Sequence, residues 1–194
     1  MVGLGNPGRE HAGTRHNIGF AVADALVERW GLKRSKPRFR AQIAEGRVRA
    51  PAPMLAEGGE RAAAPGPVSV AVLCPQTYMN DSGRAVGPAR GSYKLPLERL
   101  VVVYDEIDLP FGEVRVRLGG GLAGHNGLKS LKRELGGTDF WRVRVGVDRP
   151  DSTDPEIVAA WVLGRFREAP AEVAAVVGRA CEEVERVVLG GDAS

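Results

Sequence analysis

The sequence lacks the features of several large protein classes. Its 194 residues contain only two cysteines and 6% aromatic residues. Two cysteines are too few for a disulfide framework, and both lie in apolar segments, where small buried residues are common. The longest apolar runs fall far short of the about 18 residues that a membrane helix needs. The glycine-rich start does not resemble a signal peptide. We therefore expect a cytoplasmic protein with no membrane partner.

The remaining composition is that of a globular protein. Hydrophobic residues make up 43% of the chain and charged residues 26%, so disorder of the whole chain is excluded. The length suits one well-buried domain and is too short for two ordinary ones. We expect a single domain over 1–194, in which residues 50–67, rich in Pro, Ala, Gly and Glu, form a mobile hairpin loop.

The charge is unevenly distributed. The formal net charge is +3 and the sequence pI is about 9.1, and eight basic residues but one acidic residue occur between Arg29 and Arg49. A basic stretch of this kind indicates an anionic partner such as a nucleic acid. On charge alone, a solvated charged face explains the pattern better.

Hydrophobic periodicity predicts strands that alternate with helices. Apolar residues at helical spacing predict one helix over about 17–30 and another over 173–188. A continuous apolar run at 100–104 predicts a buried strand, and alternating residues predict strands at 114–118 and 141–147. We also expect short strands at 2–4, 41–48 and 68–73 and helices over about 81–93 and 126–135. This order favours a single α/β domain with a mixed or mostly parallel sheet between helices. Sites in such sheets lie at the carboxyl ends of strands, and the polar clusters here follow strands.

The start of the chain contains the pattern G-x-G-x-x-G at Gly3, Gly5 and Gly8. A dinucleotide-binding fingerprint opens a helix directly, whereas here Pro7 and Gly8 continue the loop. We favour a tight turn that needs glycine. A nucleotide-dependent oxidoreductase remains an alternative that rests on this pattern alone. Asn6 stands within the pattern, where a site residue would.

Other polar residues follow strands or precede helices. His16 lies before the first helix and could act as a general base near neutral pH, or it could only cap or pack. Asp105 follows the strand predicted at 100–104 and could orient a histidine, as the acid of a hydrolytic triad does, or it could bind loop amides. Asn80 and Asn126 stand at predicted helix starts, where side chains cap and amides stabilise anions.

Three motifs of known enzyme classes are absent from the sequence, and their absence limits the reactions that the chain could catalyse. The chain has no G-x-S-x-G nucleophile elbow, its histidines lack zinc spacing, and its cysteines lie in apolar runs that disfavour a thiol nucleophile. We expect no metal site. The remaining His, Asp and Asn residues suit hydrolysis of an activated ester or amide by water, because neutral amides can donate to a developing oxyanion.

Taken together and in order, these motifs resemble the bacterial peptidyl-tRNA hydrolase family. The matching runs are Val2–Gly8, Thr14–Asn17, Tyr78–Gly83, Asp105–Pro110 and Gly119–Gly121 with Gly124–Gly127. One run alone is weak, but five in order over nearly the whole chain are specific. The resemblance implies a monomeric α/β protein with a twisted mixed sheet flanked by helices. It implies hydrolysis of the ester between a peptide and the terminal ribose of tRNA, without a cofactor.

The resemblance also assigns roles by motif position. It implies that His16 activates water, that Asp105 holds His16, and that Asn6 and Asn126 position the substrate and the reacting water or carbonyl. Asn80 would bind the peptide main chain. The other residues that it implies in substrate binding are Tyr78, His11, Arg117 and Arg144. The two arginines would contact tRNA phosphates, and strand alternation predicts that both lie on exposed faces.

Two departures and one alternative accompany the resemblance. His11 stands where the family usually has tyrosine, and Asp148 follows Val147 where the family usually has glycine. Some plant organelle splicing factors resemble the family but act as RNA-binding scaffolds, because a fold can be kept when its catalytic activity is lost. The complete set of His16, Asp105 and three asparagines favours the enzyme.

Overall fold

The computed structural model of the protein describes residues 1–49 and 66–190. The strands are β1 (Val2–Gly3), β2 (Lys33–Arg34), β3 (Ala41–Val48), β4 (Val68–Pro75), β5 (Val101–Glu106), β6 (Val114–Leu118) and β7 (Trp141–Gly146). The helices are α1 (Ile18–Arg29), α2 (Gly83–Ser92), α3 (Asn126–Leu135), α4 (Pro155–Leu163) and α5 (Pro170–Leu189). Residues 50–65 of the predicted loop lie outside the described residues, so its mobility stays a prediction.

Within residues 1–49 and 66–190, the strands form one mixed sheet of seven in the order β2-β3-β4-β1-β5-β7-β6. The central strands β4, β1, β5 and β7 are parallel to one another. The edges are antiparallel, because β3 pairs with β2 and β4, and β6 pairs with β7. The predicted single α/β domain with a mixed sheet is confirmed.

Helices cover both faces of the sheet. On one face, α2 and α3 contribute Ala85, Val86, Leu128 and Leu131 to a buried cluster around Tyr104. On the other face, α1 and α5 pack against the predominantly valine side of β5 and β7. The strand β5 is buried along its whole length, as a central strand covered on both faces should be.

The glycines at the start of the chain are explained by helix packing. A Cβ on Gly3 would lie 2.1 Å from the carbonyl oxygen of Gly19 in α1, and a Cβ on Gly5 would lie 2.7 Å from the Phe20 ring. Glycine therefore lets α1 approach β1 closely. Two glycines of the pattern that resembled a nucleotide fingerprint thus serve this contact, whereas Gly8 has φ +109° in the loop that follows, as the predicted turn requires.

Two elements were not predicted from the hydrophobic pattern. β2 is only two residues long, and α4 has no buried residue although most of its side chains are apolar. The last helix begins at Pro170, three residues before its predicted start. Within the described residues, no helix is long and apolar enough to span a membrane.

Candidate active site

His16 and Asp105, 89 residues apart in the chain, meet at the carboxyl end of β5. His16 lies in the 3-10 turn Arg15–Asn17 that precedes α1. Its Nδ1 lies 2.9 Å from both carboxylate oxygens of Asp105, and the carboxylate is buried. The contact places the proton of a neutral His16 on Nδ1. Nε2 then has no hydrogen-bond partner within 1–49 and 66–190 and is available as a base.

A second histidine binds the same carboxylate. His125 Nε2 lies 3.1 Å from Asp105 Oδ1, and the two imidazole rings are 5.2 Å apart. His125 was not predicted as a site residue, although it lies in the family-like run Gly124–Gly127. Its spacing from His16 and Asp105 gives no signal of contact. Only the register of β5 and the start of α3 bring the three together.

Asp105 is ionised in this arrangement. Burial opposes ionisation of the carboxyl group, but His16 and His125 outweigh it and hold the pKa of Asp105 well below its usual range. An ionised carboxylate that accepts from two imidazoles fixes the orientation of both rings.

Asn6 is held by Asn17, another residue that was not predicted. The backbone amide of Asn6 donates to Asn17 Oδ1 at 2.9 Å, and Asn17 Nδ2 donates to the Asn6 carbonyl at 2.8 Å. The side-chain oxygen of Asn6 accepts from the Met79 amide at 2.7 Å. With that oxygen occupied, Asn6 presents its Nδ2 group as a hydrogen-bond donor.

The remaining predicted substrate residues lie around this cluster. Asn80 is exposed in the 3-10 turn Met79–Asp81, directly after the amide that binds Asn6. Tyr78 is 62% exposed, and the His11 ring meets it edge-on at 6.4 Å. Asn126 is exposed as the first residue of α3. Asn80 and Asn126 thus adjoin Met79 and His125 in the chain, but among the described contacts their side chains make no bond to the cluster.

Arg15 ties α4 to the His16 turn. Its guanidinium lies 4.0 Å from the Trp161 ring and donates to the Arg165 carbonyl at 2.7 Å. Its backbone amide donates to the Gly164 carbonyl at 3.0 Å. Because Arg15 is 2% exposed, these contacts fix the residue that precedes His16.

The predicted exposure of the arginines is only partly right. Arg117 in β6 is exposed, as is Arg115. Arg144 in β7 is not on an exposed face: its side chain is 19% exposed and its Nε lies 3.1 Å from Glu106 Oε2. That prediction is wrong because alternation distinguishes the faces of a strand but not how deeply a face is covered.

Arg142 is buried and binds the glycine loop, which contains Gly119, Gly120 and Gly121. It is 1% exposed, and its guanidinium donates to the carbonyl of Gly121 and, at 2.7 Å, to that of Gly120. The guanidinium of Arg117, the cross-strand partner of Arg142, lies so close to Gly120 that a Cβ there would be 2.5 Å from it. Arg142 therefore holds the loop that leads into His125 by hydrogen bonds, and Arg117 lies against it without a hydrogen bond to it among the described residues.

The cluster of His16, Asp105 and His125 is also the place where the described residues come nearest to a metal site, with ligand atoms within 4.8 Å of one another. The same atoms already pair with one another, so we assign them to acid–base chemistry. A cavity of about 640 Å³ at the other end of the parallel strands, near Met1, Trp30 and Trp141, contains none of the predicted site residues.

The fold and the site define the class of the protein as a single α/β domain with a buried histidine–aspartate pair at the carboxyl end of a central strand. A model of the peptidyl-tRNA hydrolase family matches residues 1–194. The peptidyl-tRNA hydrolase of Azorhizobium caulinodans is 42% identical over 193 residues, covering 100% of this chain and 85% of its own length.

That of Mycobacterium avium is 41% identical over 191 residues, covering 97% of this chain and 90% of its own length. The crystal structure of peptidyl-tRNA hydrolase from Acinetobacter baumannii at 1.00 Å resolution superimposes with a TM-score of 0.76 at 34% identity, covering 97% of this chain and 87% of that one. The chain belongs to the peptidyl-tRNA hydrolase family.

Proposed function

We propose that this protein hydrolyses the ester between peptide and tRNA in peptidyl-tRNA with His16 as the general base. Hydrolysis of peptidyl-tRNA is the activity of its family. The observation that carries the residue assignment is the 2.9 Å contact of His16 Nδ1 with the Asp105 carboxylate. This contact leaves Nε2 to take a proton from water.

The reaction follows from this geometry. His16 Nε2 removes a proton from water as the water oxygen attacks the ester carbonyl carbon. The imidazolium, stabilised by Asp105, then returns that proton to the ribose oxygen as the carbon–oxygen bond breaks. The products are a tRNA with its terminal hydroxyl restored and a peptide whose new carboxyl group loses its proton to solvent.

Asn6 is suited to stabilise the oxyanion. Its Nδ2 group is a neutral donor whose direction is fixed by the Met79 amide and by Asn17. A donor that is oriented before the reaction stabilises developing charge without reorganisation. Asn126 at the start of α3 would help to position the water or the carbonyl.

The surrounding residues would bind different parts of the substrate. Asn80 would bind the peptide main chain, and Tyr78 and His11 would contact the substrate near the ester. Arg117 and Arg144 would bind tRNA phosphates. The family resemblance further supports a monomer that acts in the cytoplasm and needs no cofactor, and sedimentation of the full chain tests the oligomeric state.

The decisive experiment compares two substrates. N-acetyl-aminoacyl-tRNA carries an acylated amine, as peptidyl-tRNA does, whereas aminoacyl-tRNA carries a free charged amine. We expect release of deacylated tRNA from the first and little from the second. Salt-sensitive tRNA binding without cleavage of either would contradict the proposal and indicate an RNA-binding scaffold.

A further inference from the structure

His125 has two distinct partners, one for each ring nitrogen. It precedes α3 as the N-cap residue, and its Nδ1 accepts from the Gly127 amide at 3.1 Å and from the Leu128 amide at 3.3 Å. Its Nε2 faces Asp105 Oδ1 at 3.1 Å. A nitrogen that accepts from amides carries no proton, so the proton of a neutral ring lies on Nε2.

The start of α3 also disfavours a charged ring. Protonation of Nδ1 would break both amide bonds and would place a positive charge at the positive end of the helix dipole. The His125 ring cannot turn over without loss of its contacts to Asp105 and to the amides. Tyr104, whose ring centroid lies 4.9 Å away, packs edge-on against it.

We propose that His125 is a positioning residue whose tautomer is fixed by the first amides of α3, so that it stays a neutral donor to Asp105. Asp105 then accepts from His125 on one side and from His16 on the other. The carboxylate is held in the orientation that keeps the proton of His16 on Nδ1. The proposal rests on the proposed role of His16 as the base.

The second donor also affects how readily His16 gives up its proton. Hydrogen bonds from two imidazoles spread the charge of the buried carboxylate, so Asp105 attracts a proton on His16 less strongly than it would with one donor. Without the His125 donor, the carboxylate would favour the charged His16, and activity would begin at a higher pH.

Other ionisable groups surround the three residues. Arg15 precedes His16 in the chain and points towards Trp161. Tyr104 remains neutral, because burial first and the charge of Glu106 second raise its pKa. The charged groups near Tyr104 are Glu106, Arg142 and Arg144. Each of these is present in every variant below, so their influence cancels in the comparison.

Two substitutions separate the two contacts of His125. In His125→Asn the amide oxygen ends near the position of Nδ1 and keeps the cap, but nothing reaches Asp105. In His125→Gln the amide nitrogen ends near the position of Nε2 and keeps the donor, but the cap is lost. Both variants carry an amide side chain, so they differ only in which of the two contacts of His125 is kept.

The pH dependence of kcat/KM for N-acetyl-aminoacyl-tRNA is the first readout. We expect the acid limb of His125→Asn to move up by about one pH unit, with activity recovering towards wild type at alkaline pH. We expect His125→Gln to keep the wild-type acid limb and to lower the melting temperature by about 2–4 °C, since a cap is lost. Equal acid limbs in the two variants would overturn the proposal.

The second readout needs no substrate. Nitrogen-15 spectra of the His125 imidazole in the wild-type protein should report a proton on Nε2 and none on Nδ1 throughout the neutral range. A proton on Nδ1 would overturn the proposal whether or not the protein cleaves the ester. If the protein did not cleave the ester but gave the expected spectrum, the proposed function would be refuted and the tautomer assignment would stand.

Discussion

The acid–base cluster and the basic edge formed by Arg115 and Arg117 of the edge strand β6 are built in opposite ways. In the cluster, His16, Asp105 and Asn6 are less than a tenth exposed and bond to their partners at 2.7–3.1 Å. On the edge, Arg115 and Arg117 extend from β6 into solvent. Chemistry at one ester bond needs atoms fixed to within a few tenths of an ångström. Phosphate binding needs positive charge near the RNA and tolerates a range of side-chain positions.

Because the two regions differ in this way, substitutions in them should affect different kinetic constants. A change in the cluster should act on kcat, because it alters the geometry of the transition state. A change on the edge should act on KM and on the salt dependence.

Replacement of His16 should have the largest effect. We expect His16→Ala to lower kcat by about 100-fold or more, since it removes the general base, while binding of uncharged tRNA persists. Single-turnover hydrolysis and a tRNA-binding titration measure the two properties. Turnover near the wild-type rate in this variant would exclude His16 as the base.

Replacement of Asn17 should affect both stability and rate. Asn17→Ala removes both bonds to the Asn6 backbone and leaves buried polar groups unpaired, which costs about 1–3 kcal/mol. The donor of Asn6 is then less well oriented, and we expect kcat to fall by about 10-fold. Chemical denaturation and steady-state kinetics measure the two effects.

The matched control is the exposed residue Asn80. Asn80→Ala should raise KM and leave the free energy of unfolding unchanged, because Asn80 makes no side-chain bond within the described part of the chain. If Asn17→Ala behaved like Asn80→Ala, the account of how Asn6 is held would be wrong.

The two proposed phosphate contacts should differ from each other. Arg117→Ala should raise KM about 3–10-fold, leave kcat within about twofold, and reduce the slope of log affinity against log salt by about one. Arg144→Ala should raise KM too, but it also leaves the buried Glu106 without its ion pair. We therefore expect Arg144→Ala, and not Arg117→Ala, to lower the melting temperature. Equal stability of the two variants would contradict the assigned Glu106 pair.

The smallest effect should come from Asp148, a departure from the family pattern. Asp148 has φ +58°, a region that glycine adopts at least cost, and its Oδ1 accepts from the Phe111 amide at 2.9 Å. We expect Asp148→Ala to lose about 1–2 kcal/mol of stability and Asp148→Gly less than about 1 kcal/mol. Urea denaturation measures both, and kcat should change in neither. Because both variants lose the side-chain bond, a greater loss with glycine than with alanine would contradict the assigned backbone preference at this position.

The sequence predicts the framework better than the contacts within the site. Helix and strand periods locate α1, α3, α5 and the central strands because their buried faces repeat regularly. They do not reveal α4, whose apolar residues lack a polar face opposite them, or β2, which has two residues. The pairing of His16 with Asp105 follows from the family resemblance, since a separation of 89 residues gives no local signal.

The supporting residues are the part that the sequence does not show. Asn17 looks like a helix cap, yet its side chain binds Asn6 instead. Arg142 and Arg144 occupy equivalent positions in an alternating strand, yet glycine-loop carbonyls cover Arg142 and a carboxylate pairs with Arg144. Each outcome depends on a segment distant in the chain, which local patterns cannot specify.

The measurement that tests the division between the two regions most directly is the salt dependence of turnover. We would measure kcat and KM for N-acetyl-aminoacyl-tRNA between about 50 and 200 mM salt. The account predicts that KM rises steeply with salt while kcat stays constant, because only the basic edge depends on released counterions. A fall in kcat with KM unchanged would show that the exposed charges take part in the chemical step, and would contradict the account.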